Sequence, residues 1–310
     1  MNQKIYEQLN LLTTESLNPR TADLDTFSVK EILEAMNRED REVISAVEKV
    51  IPDIEQTVTL VEEAFRKGGR LFYVGAGTSG RLGVSDAAEC PPTFGTDPQM
   101  VQGIIAGGNG ALVQAVEGAE DRENEGAEEL RKRGLNSKDV VIGIAASRRT
   151  PYVMGALKYA NSVNAATVLV TCNDVSLEGG VASVVIAPVV GPEVIAGSTR
   201  LKAGTATKLI LNMITTASMV RLGKVWGNLM VDLKATSEKL KARFCRILTL
   251  TTGCSFQEAV ELLSKADGEL KTAIVMAMRE VNDLQAREIL RENKGKLRAV
   301  LGRRKPVIRE

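Results

Sequence analysis

Residues 71–92 read LFYVGAGTSGRLGVSDAAECPP, and this stretch decides the fold of the chain. The apolar run at 71–74 predicts a buried strand, and it leads directly into Gly75, Gly77 and Gly80. A helix-like segment follows the glycines without a break. Strand, glycine-rich turn and helix in immediate succession are typical of an α/β domain built on a parallel sheet.

The turn between this strand and this helix predicts a binding site for an anion. Glycine lets the backbone approach a ligand, and Thr78, Ser79 and Gly80 lie where the free N–H groups of the helix start are found. Two other interpretations fit the glycines alone, a dinucleotide site and a tight turn without a ligand. A dinucleotide site requires an acid at the end of the second strand, but that segment, VQGIIAGG over 101–108, ends in two glycines.

Strand and helix patterns alternate from residue 70 onward. Predicted strands lie at 71–75, 101–106, 139–145, 166–172 and 183–190. Predicted helices lie near 80–90, 111–132, 151–162 and 201–222. This alternation predicts a doubly wound, five-stranded parallel sheet with ligands at the carboxyl ends of its strands. The loops at 75–80, 107–110, 146–150 and 191–200 are expected at that edge.

Helical segments flank the sheet-forming region on both sides. Ser28 is a candidate N-cap for one of several N-terminal helices. Ser255 and Glu258 form a capping box that opens a small three-helix domain. We therefore predict an N-terminal arm with helices at 1–51, a catalytic domain at 52–248 and a helical domain at 249–310.

Composition excludes several kinds of catalytic site. The chain has 310 residues and no histidine, which removes Ser-His-Asp and Cys-His arrangements and every histidine metal site. Acid–base chemistry must then rest on Asp, Glu, Lys, Tyr or Cys. The four cysteines are scattered without a C-x-x-C pair, so we predict reduced cytoplasmic thiols and no metal site.

Charge and hydropathy exclude several partners. The net charge is +1, which predicts no nucleic-acid partner. No apolar run reaches the roughly 18 residues that a membrane span needs, and the first ten residues, MNQKIYEQLN, lack the apolar core of a signal peptide. We expect a cytoplasmic protein without a membrane partner.

Two further loops carry hydroxyl groups or charges that suit an anion. Ser147-Arg148-Arg149-Thr150 precedes Pro151, a favoured first helical residue, so Ser147 and Thr150 are expected at a helix N-terminus. A plain helix cap is the alternative. The other loop precedes a long apolar helix and carries hydroxyl groups and cations at Ser198, Thr199, Arg200 and Lys202. Ordinary surface charge is the alternative interpretation of this loop.

Glu89 and the pair formed by Glu117 and Glu120 are candidate proton-transfer groups. Glu89 is predicted in the last turn of its helix, which Pro91-Pro92 should end. Glu120 is predicted on the helix at 111–132, three positions after Glu117 and therefore on the same face. An ordinary acidic surface explains the pair of Glu117 and Glu120 equally well.

Together these segments resemble the N-acetylmuramic acid 6-phosphate etherases, a family of sugar-isomerase (SIS) domain proteins with a flavodoxin-like fold. The resemblance runs from about Leu12 to the C-terminus. It rests on GAGTSGRLGVSDAAECPPTFGT, IIAGG, AVEGAED, GIAAS-x-RTPYV, GPEVIAGSTRLKAGTATK and GNLMVD, and the tail TTGCSFQEAVELLSKADGELKTAIVMAM also matches.

The resemblance implies a carbon–oxygen lyase that acts in recycling or catabolism of cell-wall muramic acid. The family converts N-acetylmuramic acid 6-phosphate and water to N-acetylglucosamine 6-phosphate and D-lactate, as a cytoplasmic homodimer without metal or redox cofactor. It places the catalytic glutamates on Glu89 and Glu120. A helix C-terminus and apolar neighbours would favour the protonated form of Glu89, which suggests Glu89 as the acid and Glu120 as the base. The reverse assignment stays open.

Two alternatives to this activity remain at the level of sequence. A non-catalytic sugar-phosphate sensor would keep the hydroxyl-bearing loops and have no use for Glu89. An aldose–ketose isomerase would need a base but would release no lactate.

Arg148 departs from the family pattern, which has S-G-R-T where this chain has Ser147-Arg148-Arg149-Thr150. If the family glycine adopts a positive φ, an arginine there costs strain and space. The guanidinium could equally add a phosphate contact.

Overall fold

The computed structural model describes residues 12–174, 180–233 and 237–302, together with residues 3, 7 and 10. The chain divides into two compact units, the first formed by 1–88 with 99–215 and the second by 89–98 with 216–310. The boundaries of these units differ from the domain boundaries predicted at residues 51 and 248. The helix that spans residue 248 packs its apolar face into the hydrophobic core of the second unit.

The first unit is built on a five-stranded parallel sheet. Its strands are β1 (Leu71–Gly75), β2 (Val101–Ile105), β3 (Val140–Ile144), β4 (Ala166–Val170) and β5 (Val184–Ile186). Their order is β2-β1-β3-β4-β5, with every neighbouring pair parallel. This is the doubly wound, flavodoxin-like order, so the predicted fold class is confirmed.

The strands follow the predicted segments closely except at the fifth. β5 ends at Ile186, whereas the apolar pattern continues to Val190. Pro188 lies in that continuation and has no N–H to donate to a neighbouring strand, which ends the ladder.

Helices precede, connect and follow the strands. They are α1 (Val29–Lys49), α2 (Ile51–Arg66), α3 (Gly77–Phe94), α4 (Glu123–Lys132), α5 (Pro151–Ser162) and α6 (Lys202–Arg221). Ser28 caps α1 in a capping box with Glu31, as predicted for this N-cap. The residues of α3 beyond Ala88 and of α6 beyond Thr215 belong to the second unit.

Close packing between α3 and the sheet depends on small residues. A side chain at Gly103 of β2 would lie 2.4 Å from the Cα atom of Val84, and one at Gly83 would lie 2.8 Å from the Cβ atom of Tyr73. Tyr73 itself is fully buried in β1. The helix that follows the glycine-rich turn is therefore held against β1 and β2 at backbone distance.

The second unit is mainly helical. It contains a short antiparallel pair, β6 (Val225–Trp226) and β7 (Leu229–Met230), and the helices α7 (Glu238–Thr252), α8 (Phe256–Lys265), α9 (Leu270–Arg279), α10 (Asp283–Glu292) and α11 (Leu297–Leu301). The predicted capping box of Ser255 and Glu258 opens α8. The predicted three-helix tail is wrong in one respect, because the last stretch is two helices: Lys294 and Gly295 have φ of 53° and 69°, which breaks it.

Among the residues that the structure describes, no helix has both the length and the apolar character needed to cross a membrane.

Candidate active site

The loops predicted to carry ligand groups lie at one edge of the sheet. Because the strands are parallel and in register, the segments after β1, β2, β3 and β4 all emerge at their carboxyl ends. Backbone hydrogen bonds join these ends, from Ala106 to the Gly75 carbonyl at 3.0 Å and from Cys172 to the Ala146 carbonyl at 3.1 Å. This edge is the candidate active site.

The first cradle, residues 75–80, connects β1 to α3 as the sequence predicts. A side chain at Gly75 would come within 2.6 Å of the Gly80 nitrogen, and one at Gly80 within 2.6 Å of the Ile105 side chain. Glycine is required at both positions because the strand and helix approach so closely. Thr78 and Ser79 lie half-buried in the first turn of α3, where the helix dipole and free N–H groups favour an anion.

The second cradle, residues 146–150, connects β3 to α5 and also meets its predicted position. Pro151 is the first residue of α5, and Thr150 is its N-cap without a side-chain capping hydrogen bond. The plain helix cap considered for Thr150 is therefore not formed. Ser147 and Thr150 are both half-buried, so two hydroxyls lie at this helix start beside the first cradle.

Arg148 adopts the left-handed backbone conformation, with φ of 65°. A non-glycine residue costs roughly 1 kcal/mol or more in this region. Its guanidinium donates a hydrogen bond of 3.3 Å to the carbonyl of Asp174, in the segment after β4. The backbone at position 148 thus has the positive φ for which the sequence predicted strain in an arginine. The Arg148 side chain also reaches the loop that contains Asp174.

The segment that carries Glu120 differs from the prediction. A 3-10 turn covers Asn109–Leu112, α4 begins only at Glu123, and the residues between form turns. The predicted helix at 111–132 and the helical pairing of Glu117 with Glu120 are therefore wrong. Gly118 has φ of 71°, which a continuous helix cannot accommodate, and Val116, which the predicted helix would turn toward the core, is 42% exposed.

Glu120 is nevertheless held beside the second cradle. Its carbonyl accepts a hydrogen bond of 2.9 Å from the N–H of Tyr152, the second residue of α5. The backbones of α4 and α5 approach closely enough that a side chain at Gly126 would lie 2.1 Å from the Tyr152 carbonyl oxygen. The Glu120 side chain is exposed. Close packing of two helices thus places the backbone of Glu120 beside Tyr152, one residue after the Thr150–Pro151 step.

The environment of Glu89 differs from the one that suggested its acid role. Helix α3 continues through Pro91 and Pro92 to Phe94, so Glu89 is not in its last turn. The Pro91 carbonyl accepts a hydrogen bond from Gly95 at 2.9 Å, which carries the helical pattern beyond the prolines. Glu89 is exposed. The two reasons for calling Glu89 the acid, burial and a terminal position, are not met.

The loop at 197–202 divides into two parts. Ser198 and Thr199 are half-buried and Arg200 is exposed, so these three side chains remain candidates for an anionic ligand. Lys202 is fully buried, and its ammonium lies 2.8 Å from a carboxylate oxygen of Glu39. Its observed partner is therefore a protein carboxylate, which differs from the substrate contact that the sequence suggested.

Glu193, which the sequence reasoning missed, caps α6. Its carboxylate accepts hydrogen bonds of 2.9 Å and 3.0 Å from the backbone N–H groups of Lys202 and Ala203. Burial raises the pKa of Glu193, although these bonds and the charge of Lys202 act in the opposite direction. The first two amides of α6 are therefore occupied by the protein itself.

Asp86 is a second buried carboxyl group that the sequence reasoning missed. It lies on α3 and accepts hydrogen bonds from Tyr73 at 3.0 Å, Asn212 at 2.7 Å and Thr215 at 3.2 Å. Burial raises the pKa of Asp86 against the effect of these donors. Asp86 ties α3 to β1 and α6, and an acid within an apolar helical stretch was the only signal for it.

The fold and its two cradles define a SIS-domain protein, and residues 49–161 match the family model of the glucokinase regulatory protein N-terminal SIS domain. Three curated relatives extend the comparison over nearly the whole chain. N-acetylmuramic acid 6-phosphate etherase of Photorhabdus laumondii is 51% identical, covering 94% of this chain and 97% of the relative. The etherases of Clostridium beijerinckii and Geobacillus thermodenitrificans are 53% and 55% identical, covering 93% and 94% of this chain and 96% and 99% of the relatives. The chain belongs to the N-acetylmuramic acid 6-phosphate etherase family.

Proposed function

We propose that this protein cleaves the lactyl ether of N-acetylmuramic acid 6-phosphate with water, giving N-acetylglucosamine 6-phosphate and D-lactate. The observation that carries the proposal is the identity of 51–55% to etherases over about 94% of the chain. The two hydroxyl-bearing helix starts after β1 and β3 supply a fitting cradle for the 6-phosphate. Incubation with the substrate and enzymatic measurement of D-lactate tests the proposal directly.

The reaction is an elimination followed by a hydration, which makes the enzyme a carbon–oxygen lyase. In the open-chain aldehyde, a base removes the proton on carbon 2, which is acidic because it is next to the carbonyl. The bond between carbon 3 and the ether oxygen breaks, and an acid protonates the departing lactate oxygen. Water then adds its hydroxyl to carbon 3 and a proton to carbon 2. Carbon 2 and carbon 3 gain no electrons overall, so the proposal includes no redox cofactor.

Glu89 and Glu120 are the proposed proton-transfer groups. Two positioned carboxyl groups suffice for the elimination, and each acid–base role contributes about 10²–10⁴-fold. We assign proton abstraction to Glu120, whose backbone is anchored to the start of α5. Glu89 is then assigned to the leaving group, and the reverse assignment is tested below.

The phosphate is proposed to lie over Ser79, Ser147 and Thr150, with Thr78 and Gly80 supporting it. Hydroxyl and amide donors hold a dianion without a metal, and charge-assisted hydrogen bonds of this kind are the strong ones. Ser198, Thr199 and Arg200 are proposed to bind a phosphate or carboxylate group of the substrate. Lys202 supports that loop through its contact with Glu39.

Ser79→Ala is expected to raise KM for the 6-phosphate by about tenfold and to lower kcat less. The phosphate is held in both the ground state and the transition state, so loss of the Ser79 hydroxyl weakens binding of both states equally. Steady-state kinetics with Ser162→Ala, which removes an exposed hydroxyl at the far end of α5, provides the matched control. An unchanged KM would place the phosphate elsewhere.

Arg148→Gly is expected to lower KM, with a gain that persists at high salt. Glycine accepts the φ of 65° without strain and lets the backbone of the second cradle approach the phosphate. Crowding is not screened by salt, whereas a charge contact is screened over about 8 Å at physiological ionic strength. Weaker binding by this variant at low salt alone would identify Arg148 as a phosphate ligand.

A non-catalytic sugar-phosphate sensor is the second candidate, supported by the match of residues 49–161 to the glucokinase regulatory protein domain. Such a protein would bind the sugar phosphate and release no lactate. An aldose–ketose isomerase would form a ketose, again without lactate. Lactate measurement therefore separates the etherase from both alternatives, and ketose formation separates the isomerase from the sensor.

We also propose that the protein acts as a homodimer in the cytoplasm. Light scattering of the purified chain measures its mass in solution. A monomer at every concentration that supports activity would contradict the homodimer.

A further inference from the structure

The N-terminal segment, residues 12–21, runs along the carboxyl edge of the sheet. Thr14 is fully buried, and its N–H and hydroxyl both bind the side chain of Asn173, at 3.3 Å and 3.1 Å. Asn173 also donates to the Ala146 carbonyl at 2.7 Å. The Thr14 carbonyl accepts a hydrogen bond of 3.1 Å from Gly197. One residue of this segment therefore joins the end of β4, the second cradle and the loop before α6.

The rest of the N-terminal segment is fastened to the same loop. Thr21 donates to the Val194 carbonyl at 2.9 Å. Asn18 donates to Glu39 at 2.9 Å, within the same network as Lys202. These buried hydrogen bonds fix the segment on both sides of Glu15.

Glu15 lies directly beside the proposed ligand loop. A Cβ atom built on Gly197 would be 3.0 Å from a Glu15 carboxylate oxygen. In the first turn of α6, a Cβ atom on Gly204 would be 3.5 Å from both the Thr199 carbonyl oxygen and the Thr78 methyl group. Glu15, Gly197, Thr199 and Thr78 thus form a continuous row that leads from the N-terminal segment to the first cradle.

The Glu15 carboxylate is half-buried, and the described residues include no hydrogen-bond or ion-pair partner for it. A carboxylate only accepts hydrogen bonds, so it needs a donor from outside this part of the chain. Its negative charge repels a phosphate. The groups that suit it are the hydroxyl groups of a sugar.

We propose that Glu15 is a ligand-contacting residue that accepts hydrogen bonds from hydroxyl groups of the sugar phosphate and so favours a polyhydroxyl ligand over phosphate alone. This inference rests on the proposed function. It adds the N-terminal segment to a site that the sequence placed in the loops of the sheet and on the helices that follow them.

Glu15→Gln tests the inference by calorimetric titration with two probes, N-acetylglucosamine 6-phosphate and inorganic phosphate. Loss of a hydrogen bond to a charged group corresponds to about ten- to hundredfold weaker binding of the sugar phosphate. Binding of inorganic phosphate is expected to stay the same or become tighter. Glu34→Gln on α1, a largely exposed glutamate, is the matched control and should retain both affinities.

Glu15→Asp is the second variant, because it keeps the charge but withdraws the oxygens by one methylene. The same selective loss for the sugar phosphate is expected, which keeps the test decisive if Glu15→Gln fails to fold. Equal loss for both probes would make Glu15 a structural residue of the loop and overturn the inference, as would parental affinity in both variants. A parent protein that neither releases lactate nor binds the sugar phosphate would instead refute the proposed function itself.

Discussion

Glu89→Gln is expected to lower lactate release from N-acetylmuramic acid 6-phosphate by about 10²–10⁴-fold, the contribution of one acid–base group. Glutamine conserves the shape of glutamate but cannot exchange a proton at the reacting oxygen. Because Glu89 is exposed on α3, the substitution leaves no buried polar group without a partner. The fold should therefore persist, and the loss should appear in kcat.

The control for this variant is Glu55→Gln, an exposed glutamate on α2. The lactate release of Glu55→Gln should match that of the parent protein. The thermal unfolding curves of Glu55→Gln and Glu89→Gln should both match the parent curve. Activity of Glu89→Gln within threefold of the parent would remove Glu89 from the mechanism.

The division of roles between the two glutamates is measured by isotope exchange. Glu120→Gln is expected to block exchange of the carbon 2 proton with deuterated water, because it removes the proposed base. Glu89→Gln should still exchange this proton, since proton removal can precede the departure of lactate. The side chains of Glu89 and Glu120 are both exposed, so burial does not distinguish the acid from the base. The opposite pattern of exchange would reverse the assignment.

Lys202→Met is expected to lower the free energy of unfolding by about 3 kcal/mol, the lower end of the range for breaking a buried ion pair. Lys202 is 0% exposed and Glu39 is 2% exposed, with 2.8 Å between the ammonium and the carboxylate. Methionine fills similar space but leaves Glu39 without its buried counter-charge. Arg20 at 2.6 Å and Asn18 at 2.9 Å still contact Glu39, which limits the loss.

Urea unfolding measures this loss as a lower midpoint, and an altered slope would show either a change in the surface exposed on unfolding or a departure from two-state unfolding. Lys30→Met is the control, because Lys30 is 84% exposed and lies 3.9 Å from Glu34. Its effect should stay within about 0.5 kcal/mol. A loss below about 1 kcal/mol for Lys202→Met would mean that the pair adds little to stability.

The same network predicts a dependence of stability on pH. Burial alone would raise the pKa of Glu39, but hydrogen bonds from Lys202 and Asn18 and the charges of Lys202 and Arg20 lower it below its ordinary 4.5. The contribution of Glu39 is therefore fully present above pH 4.5 and is lost as the pH falls through the lowered value. Lys202→Met should reduce this acid-sensitive part of the stability.

Both cradles were predictable because their signals are local. A buried strand, a turn that needs glycine or a hydroxyl, and a helix start follow one another within a few residues at 71–80 and again at 140–151. Parallel strands then bring such loops to one edge regardless of the details between them. Capping boxes at Ser28 and Ser255 belong to the same class of local signal.

The segment of Glu120 was predicted incorrectly because its structure depends on partners far along the chain. Local apolar spacing favoured a helix over 111–132, whereas the observed turns are held by the packing of α4 against α5. Gly126 and Gly155 allow that packing, since a side chain at either would collide with the backbone of the other helix. The surface of α5 that receives α4 lies outside the segment, so local apolar spacing does not indicate this packing.

By itself, the sequence determined the α/β class, the strand positions, the two cradles and the absence of histidine chemistry, because periodicity, turn residues and composition act over short distances. Only the tertiary structure decided which partners the charged and polar groups found. Lys202 meets Glu39 across 163 positions, and Thr14 meets Asn173 across 159. Buried polar groups take the partner that the packed chain brings within about 3 Å, and that partner is set by the folding of the whole unit.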